Sequence, residues 1–164
     1  MRVISNTSPI TNLAAAGHLD LLQRLYGQIT IASEVRDELV LGGAGNNPGA
    51  DVVVTASWFV VEYVDSFARD QLARQFPALD LGRAATLALA VAQSGQLILL
   101  DDWAARRAAD SLSLPHVGVV GLLLAAKARG LVPLVKPILD DLRAHAGFRL
   151  ADLVYLEALR RAGE

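Results

Sequence analysis

The aspartate pair Asp101-Asp102 is the strongest candidate for chemistry in this 164-residue sequence. The pair ends the most apolar predicted strand, "LILLDD", and precedes the predicted helix "WAARRAADSL". One aspartate is enough to cap a helix, because its carboxylate accepts free backbone N–H groups and interacts favourably with the helix dipole. Two adjacent carboxylates repel each other unless a cation lies between them. The pair therefore indicates either a helix cap or a cation site.

Two further oxygen-bearing side chains are predicted to lie near this pair. Asn6 follows the stretch "RVIS" and precedes Ser8-Pro9, which we interpret as the N-cap and the first position of a helix. Glu38 lies in "SEVRDELVL", where helical spacing places it at the margin of a buried stripe. Each residue has an ordinary alternative, since Asn6 can close a turn and Glu38 can face solvent.

The remaining residue types narrow the chemistry. The absence of cysteine excludes disulfides, thiolate catalysis and zinc–cysteine sites. The histidines are too widely spaced in sequence to suggest a metal-binding pair, and Ser8 has no neighbouring histidine to activate it. A metal bound by Asn6, Glu38 and the aspartate pair would have oxygen ligands only, which favours Mg²⁺ or Mn²⁺.

Short apolar runs alternate with helical patterns along the chain. The runs are "RVIS" (2–5), "QITIA" (28–32), "WFVVEYV" (58–64), "QLILL" (96–100) and "PHVGVV" (115–120). This alternation predicts a single α/β domain over residues 1–164, with a mostly parallel sheet covered by helices and a helical C-terminal part after Gly130. Ligands gather at the carboxyl ends of parallel strands, so the candidate site is predicted at that rim.

Charge and composition limit the possible partners and location of the protein. The net charge of −2 predicts neither nucleic-acid nor membrane binding, and no apolar run is long enough for a signal peptide or a membrane span, so we expect a cytoplasmic protein. The glycine-rich segment "GGAGNNPGAD" (42–51) lacks the residues of a phosphate loop and is predicted to be a mobile connection. A hydrophobic content of 53% and a mean hydropathy of +0.38 favour a homodimer, or another protein partner, that covers apolar helix surface.

The ordered set of motifs resembles the PIN-domain superfamily and, within it, a VapC-like subgroup. The motifs are "VISNTSP", "GHLDLLQRLYGQITIASEVRDEL", "LDLGRAATLALA", "LILLDDWAARRAADSLSL" and "LLLAAKARGLVPLVKPILDDLRAHAGFRL". The resemblance implies a three-layer α/β/α sandwich on a parallel sheet of four or five strands. It also implies an Mg²⁺- or Mn²⁺-dependent endoribonuclease, often a toxin bound by a cognate antitoxin.

The resemblance also implies which positions form the acidic site. The second acid of the family pattern falls on Glu38 and the last on Asp101 and Asp102, whereas the first falls on Asn6 and the third on Arg83. Asn6 can still offer a carbonyl oxygen to a metal. Arg83 is the larger departure, because a guanidinium has no acceptor atom and is always charged. The nearby Asp80 is a candidate substitute ligand.

Two functional hypotheses stay open on the sequence. Glu38 and the aspartate pair favour an endoribonuclease of a toxin–antitoxin system with weakened metal affinity. Arg83 favours a catalytically silent PIN domain that binds a partner or RNA. In either case the best candidates for RNA phosphate contacts are the basic residues that follow the acid pair, which otherwise form a solvated helix face: Arg106, Arg107, Lys127 and Arg129.

Overall fold

A five-stranded parallel sheet forms the centre of the computed structural model, which describes residues 1–42, 47–94 and 96–164. The strands lie in the order β3-β2-β1-β4-β5, and every neighbouring pair is parallel. Their bounds are β1 Arg2–Ser5, β2 Ile29–Ala32, β3 Phe59–Glu62, β4 Gln96–Leu99 and β5 His116–Val117. The predicted parallel sheet and the α/β/α sandwich are thereby confirmed.

Ten helices flank the sheet within the part of the chain that the structure describes. They are α1 Thr7–Ala15, α2 Asp20–Tyr26, α3 Ser33–Leu41, α4 Ala50–Thr55, α5 Ser66–Gln75, α6 Leu81–Ala92, α7 Trp103–Ser111, α8 Val119–Ala128, α9 Lys136–His145 and α10 Asp152–Ala162. Beyond Gly130 the regular elements are α9 and α10, as the C-terminal sequence pattern predicts. None of the helices in the described ranges is long and apolar enough to cross a membrane.

The sheet is stable because its strands are buried on both faces. Ile4 and Ile98 of two adjacent strands are fully buried on one face, and Ile29, Ile31 and Leu99, which point to the other face, are fully buried as well. Continuous apolar strands of this kind are typical of parallel sheets covered by helices on both sides. The helices therefore leave the ends of the strands, rather than the faces of the sheet, open to ligands.

The start of α1 differs from the prediction. The helix begins at Thr7 with Asn6 in the N-cap position, so the interpretation of Ser8 as the N-cap is wrong. Pro9 lies at the third helical position and not the first. A proline is tolerated there because the N–H groups of the first turn have no partner inside the helix.

Two helices were not predicted from apolar spacing. In α5 the only buried residue is Leu72, so the segment carries almost no hydrophobic stripe, and its start is fixed instead by Asp65, which accepts the Ala68 N–H. The short helix α4 begins at Ala50, inside the segment 42–51 that we predicted to be a mobile connection. Residues 43–46 of that segment lie outside the described residues.

Candidate functional site

The candidate site lies at the carboxyl ends of β1 and β4, where the strand order changes direction. The chain leaves β1 toward β2 on one side, and β4 lies on the other side of β1. Asn6 follows β1 directly, and its backbone N–H donates to the carbonyl oxygen of Leu99, the last residue of β4, at 3.2 Å. Such a switch point leaves a crevice at the strand ends in open α/β sheets.

Glu38 reaches this rim from α3. Its Oε2 atom accepts a hydrogen bond from the Thr7 hydroxyl at 2.8 Å, which joins α3 to the start of α1. The same oxygen lies only 2.6 Å from the position that a Cβ atom would occupy at Gly82, in the first turn of α6. The absence of a side chain at Gly82 therefore allows the Glu38 carboxylate to lie against α6, beside Arg83.

Arg83 contacts two carboxylates from different elements. Its Nη1 atom donates to Oδ2 of Asp80 at 2.7 Å, and its Nε atom lies 3.2 Å from Oδ2 of Asp102. The contact with Asp102 is an ion pair without hydrogen-bond alignment, since Nε is buried and makes no aligned hydrogen bond with any residue that the structure describes. We call Asp80, Arg83, Asp102 and the adjacent Glu38 the Arg83 cluster.

The two aspartates in the cluster also cap helices. Asp80 accepts the backbone N–H of Arg83 at 2.9 Å at the start of α6, and Asp102 accepts the backbone N–H of Ala105 at 2.8 Å at the start of α7. Both capping bonds are of the usual N-cap type. The capping alternative for the aspartate pair is therefore realised at Asp102, which makes a cap and an ion pair with the same oxygen, Oδ2.

Asp101 is directed away from the Arg83 cluster. Its Oδ1 atom accepts the backbone N–H of Val119 at 2.8 Å, and its Oδ2 atom faces the Asn12 amide at 3.5 Å. Burial raises the pKa of Asp101, although the Val119 N–H, the Asn12 amide and the charge of Arg106 oppose this effect. Asp101 therefore joins the end of β4 to the start of α8, and the structure does not bring it together with Asp102 around one point.

Asn6 contributes a buried carbonyl oxygen at the same rim. The residue is 2% exposed, and its Oδ1 atom finds no hydrogen-bond donor among the residues that the structure describes. Buried polar atoms nearly always have a partner, so this oxygen is available to a water molecule or a cation. Among the described residues, Asn6 is the one candidate ligand in the site whose side-chain oxygen is buried and has no hydrogen-bond partner.

The Mg²⁺ or Mn²⁺ ion that the resemblance implies does not fit these side chains as they are arranged. Across residues 1–42, 47–94 and 96–164, no group of three or more His, Cys, Asp or Glu side chains could hold a metal ion. Arg83 is paired with two of the nearby carboxylates, and the Oε2 atom of Glu38 is bound by Thr7. A guanidinium cannot ligate a metal and repels it.

The four candidate phosphate ligands divide into two pairs. Arg106 and Arg107 are exposed residues of α7, which begins at the rim. Lys127 and Arg129 lie at the far end of α8, which runs about 15 Å from the carboxyl ends of the strands. The structure does not bring this second pair to the rim.

The second pair instead makes structural contacts at the far end of α8. Lys127 Nζ pairs with Glu164 at 2.9 Å, and Arg129 Nη1 donates to the Leu25 carbonyl at 2.8 Å. Leu25 lies at the end of α2, just before β2 begins. Both side chains therefore tie α8 to neighbouring segments at the opposite edge of the sheet.

Three residues of the site were not singled out from the sequence. Thr7 follows Asn6 and reaches Glu38, Gly82 precedes Arg83 and makes room for Glu38, and Trp103 follows Asp102 with 70% of its surface exposed. Each of these residues could have been found in the sequence only because it is the direct neighbour of a predicted rim residue.

Comparison with known proteins agrees with this architecture. No curated protein and no solved structure matches the chain. The model of the family DUF3368, described as a PIN domain, matches residues 2–164. This match covers every element of the fold and every residue of the Arg83 cluster. The chain therefore belongs to the DUF3368 family of PIN domains and has a nuclease-like fold.

Proposed function

We propose that this chain is a VapC-like PIN domain that binds RNA and has strongly reduced metal-dependent endoribonuclease activity. The observation that carries the proposal is the contact of Arg83 with both Asp80 and Asp102. In this arrangement a fixed guanidinium supplies the positive charge that a metal ion would supply to the acids. The protein therefore keeps the acidic residues at the rim of a nuclease fold, but Arg83 pairs with two of these carboxylates, so they are not available to a metal ion.

The charges of the cluster support weak metal binding. Glu38, Asp80 and Asp102 are opposed by Arg83, and Asn6 is neutral where the family pattern has an acid. Like charges at contact distance in a partly buried site interact by several kcal/mol, so the guanidinium lowers the affinity for a divalent cation. Because metal ions in such hydrolases activate water and stabilise the leaving oxygen, weak binding lowers cleavage directly.

RNA remains the best-supported ligand. Arg106 and Arg107 are exposed on α7 next to the rim, and the side chain of Arg83 is 28% exposed. Guanidinium groups bind phosphate oxygens through two parallel hydrogen bonds and retain their charge at all physiological pH values. Because the proposed ligand is RNA, the proposal also includes a cytoplasmic location.

An active endoribonuclease is the second candidate function. The Oδ1 atom of Asn6, which is buried and has no donor among the described residues, favours it, because a cation at the rim would satisfy that oxygen. This alternative requires Arg83 to leave Asp102, which would free the carboxylate as a ligand.

The proposal includes a homodimer and a cognate antitoxin as partners. Apolar side chains are exposed on the first half of α10, with Leu153 at 82%, Val154 at 47% and Leu156 at 59%. Exposed apolar patches of this kind are covered by a partner in many proteins. Light scattering after size exclusion tests the dimer, and co-expression with the reading frame next to the gene tests the antitoxin.

A combined binding and cleavage assay tests the proposed function. A 5′-fluorescein single-stranded RNA pool is titrated with the protein in EDTA, Mg²⁺ and Mn²⁺, and the same samples are analysed on denaturing gels. We expect anisotropy to rise equally in EDTA and in metal, with no metal-dependent cleavage. Cleavage in Mg²⁺ or Mn²⁺ that is lost in Asp102→Asn would support the second candidate instead, and no RNA binding under any condition would contradict both.

A further inference from the structure

An apolar hollow of about 240 Å³ opens beside the Arg83 cluster. It lies between the segment 76–79, which connects α5 to α6, and the outer face of α7. Two lining residues are sequence neighbours of the clustered acids, since Leu79 precedes Asp80 and Trp103 follows Asp102. The hollow is therefore lined by the two segments that carry Asp80 and Asp102.

Trp103 forms an aromatic wall of this hollow. The guanidinium of Arg107 lies over the indole at 4.6 Å from the ring centroid, so one face of the ring is covered. The side chain is nevertheless 70% exposed. Packing within the chain does not explain so large an exposed apolar group, which is typical of a binding surface.

Arg107 adds a free positive charge at the same place. Its side chain is exposed, and among the described residues no carboxylate lies within ion-pair distance of it. Its N–H groups are therefore available to an anionic ligand, while its planar face supports the indole. The combination of an aromatic platform with an unpaired arginine matches single-stranded nucleic acid, whose bases stack and whose phosphates are anionic.

We infer that this hollow binds one unpaired nucleobase of single-stranded RNA, stacked on Trp103, while Arg107 contacts the RNA backbone. The inference rests on the proposed function, because it names the RNA class that the rim receives. The volume is below the 300–1,000 Å³ that is usual for larger ligands, so it suits a single ring system. Double-stranded RNA keeps its bases stacked inside the helix and is excluded from such a hollow.

Tryptophan fluorescence provides a direct test. The chain has two tryptophans, Trp58 and Trp103, so a Trp58→Phe background leaves Trp103 as the only emitter. We expect a single-stranded 8-nucleotide RNA to quench this emission, whereas an abasic backbone of equal length and a duplex do not. Trp103→Ala should lower the affinity for single-stranded RNA about 5- to 100-fold, and Trp103→Phe should restore most of it.

A matched control separates this inference from the proposed function. Phe67→Ala removes another exposed aromatic, 62% exposed on α5, and should leave RNA affinity unchanged. If RNA binds but Trp103→Ala behaves like Phe67→Ala, the nucleobase site is overturned and the proposed function stands. If wild type binds no RNA, both fail. A change in molar mass by light scattering in Trp103→Ala would identify the hollow as a protein interface and also overturn the inference.

Discussion

The Nε atom of Arg83 lies 3.2 Å from Oδ2 of Asp102, so a permanent positive charge occupies the acidic rim of this PIN domain. Because Arg83 belongs to α6 and Asp102 caps α7, this ion pair connects the two helices, and Arg83 also pairs with Asp80 at 2.7 Å. The pairing satisfies carboxylates that would otherwise repel each other. The same pairing makes the rim a poor site for a divalent cation.

Introducing a negative charge at two positions should create a metal site. In the double variant Asn6→Asp with Arg83→Glu, two carboxylates replace an amide and a guanidinium at the rim. We expect Mg²⁺ and Mn²⁺ to bind at least about 30-fold more tightly than to wild type, roughly 2 kcal/mol, after screening by water and salt. Isothermal titration calorimetry measures the affinity, and gel assays measure the cleavage that should accompany it.

The control for this prediction is the triple variant that adds Asp102→Asn, which should lose the gained affinity. Tight metal binding by the wild type would contradict the argument. It would mean that Arg83 rotates away from Asp102 when a cation arrives.

Asp102 should contribute to folding independently of any ligand. Its carboxylate caps α7 by accepting the Ala105 N–H, so Asp102→Ala should lower the free energy of unfolding by about 1–2 kcal/mol. Asp102→Asn keeps a capping oxygen and should lower it by less than half as much. Urea unfolding in EDTA measures both values. Equal losses in the two variants would show that the ion pair with Arg83, and not the cap, provides the stability.

The fold could be predicted from the sequence because the strands are short apolar runs that stand out from the helical patterns. Apolar, β-branched runs such as "RVIS" and "QLILL" are short and separated by helical patterns, and β1 and β4 lie where these runs predict. Helix α5 was missed because Leu72 is its only buried residue, so the segment shows no apolar stripe in the sequence, and its start is marked by the Asp65 cap. The start of α1 was misplaced because Asn6, Thr7 and Ser8 are all common near helix N-termini.

For the site, the sequence predicted only which residues lie at one rim of the sheet, and not where their side chains point. Sequence placed Asn6, Glu38, Arg83 and Asp102 near the strand ends, but side-chain direction depends on tertiary contacts. The adjacent residues Asp101 and Asp102 illustrate this limit, since one carboxylate contacts α8 and the other contacts α6 and α7. Likewise, we predicted phosphate contacts for both Arg107 and Lys127 because positive charge is concentrated in that part of the sequence. In the structure Lys127 lies at the far end of α8, at the opposite edge of the sheet.

Glu164 should make stability depend on pH in the acid range. Its carboxylate accepts the N–H groups of Val135 and Lys136 and pairs with Lys127. Burial alone would raise the pKa of Glu164, but these three donors hold the pKa below its ordinary value. A lowered pKa means that the stabilisation is complete above the unfolded value of about 4.3 and is lost as the pH falls through the folded value.

We expect Glu164→Gln to lower the free energy of unfolding by about 2 kcal/mol at pH 7. The difference from wild type should shrink toward zero below about pH 4. Chemical unfolding between pH 3 and pH 7 measures it, and a difference that stays constant with pH would contradict the assignment. Lys127→Ala should also destabilise the protein while leaving RNA affinity unchanged, because its partner is Glu164 and not the rim.

Two glycines at the rim should respond differently to the addition of a methyl group. At Gly82 a Cβ atom would lie 2.6 Å from Oε2 of Glu38, the far end of a flexible side chain that can rotate away by giving up its hydrogen bond from Thr7. At Gly118 it would lie 2.9 Å from Oδ1 of Asp101 and 3.3 Å from the Leu100 carbonyl oxygen. Neither of these can move easily, because Asp101 is bound to the Val119 N–H and Leu100 is backbone.

We therefore expect Gly82→Ala to change the free energy of unfolding by less than about 1 kcal/mol, since displacement of Glu38 is offset by the higher helix propensity of alanine. Gly118→Ala should lower it by about 1–3 kcal/mol, as overpacking against fixed atoms does. Urea unfolding of both variants at pH 7 provides the comparison. A loss at Gly82 as large as that at Gly118 would show that the Thr7 hydroxyl holds the Glu38 carboxylate rigidly against α6, and that the acidic rim is as fixed as the core beneath it.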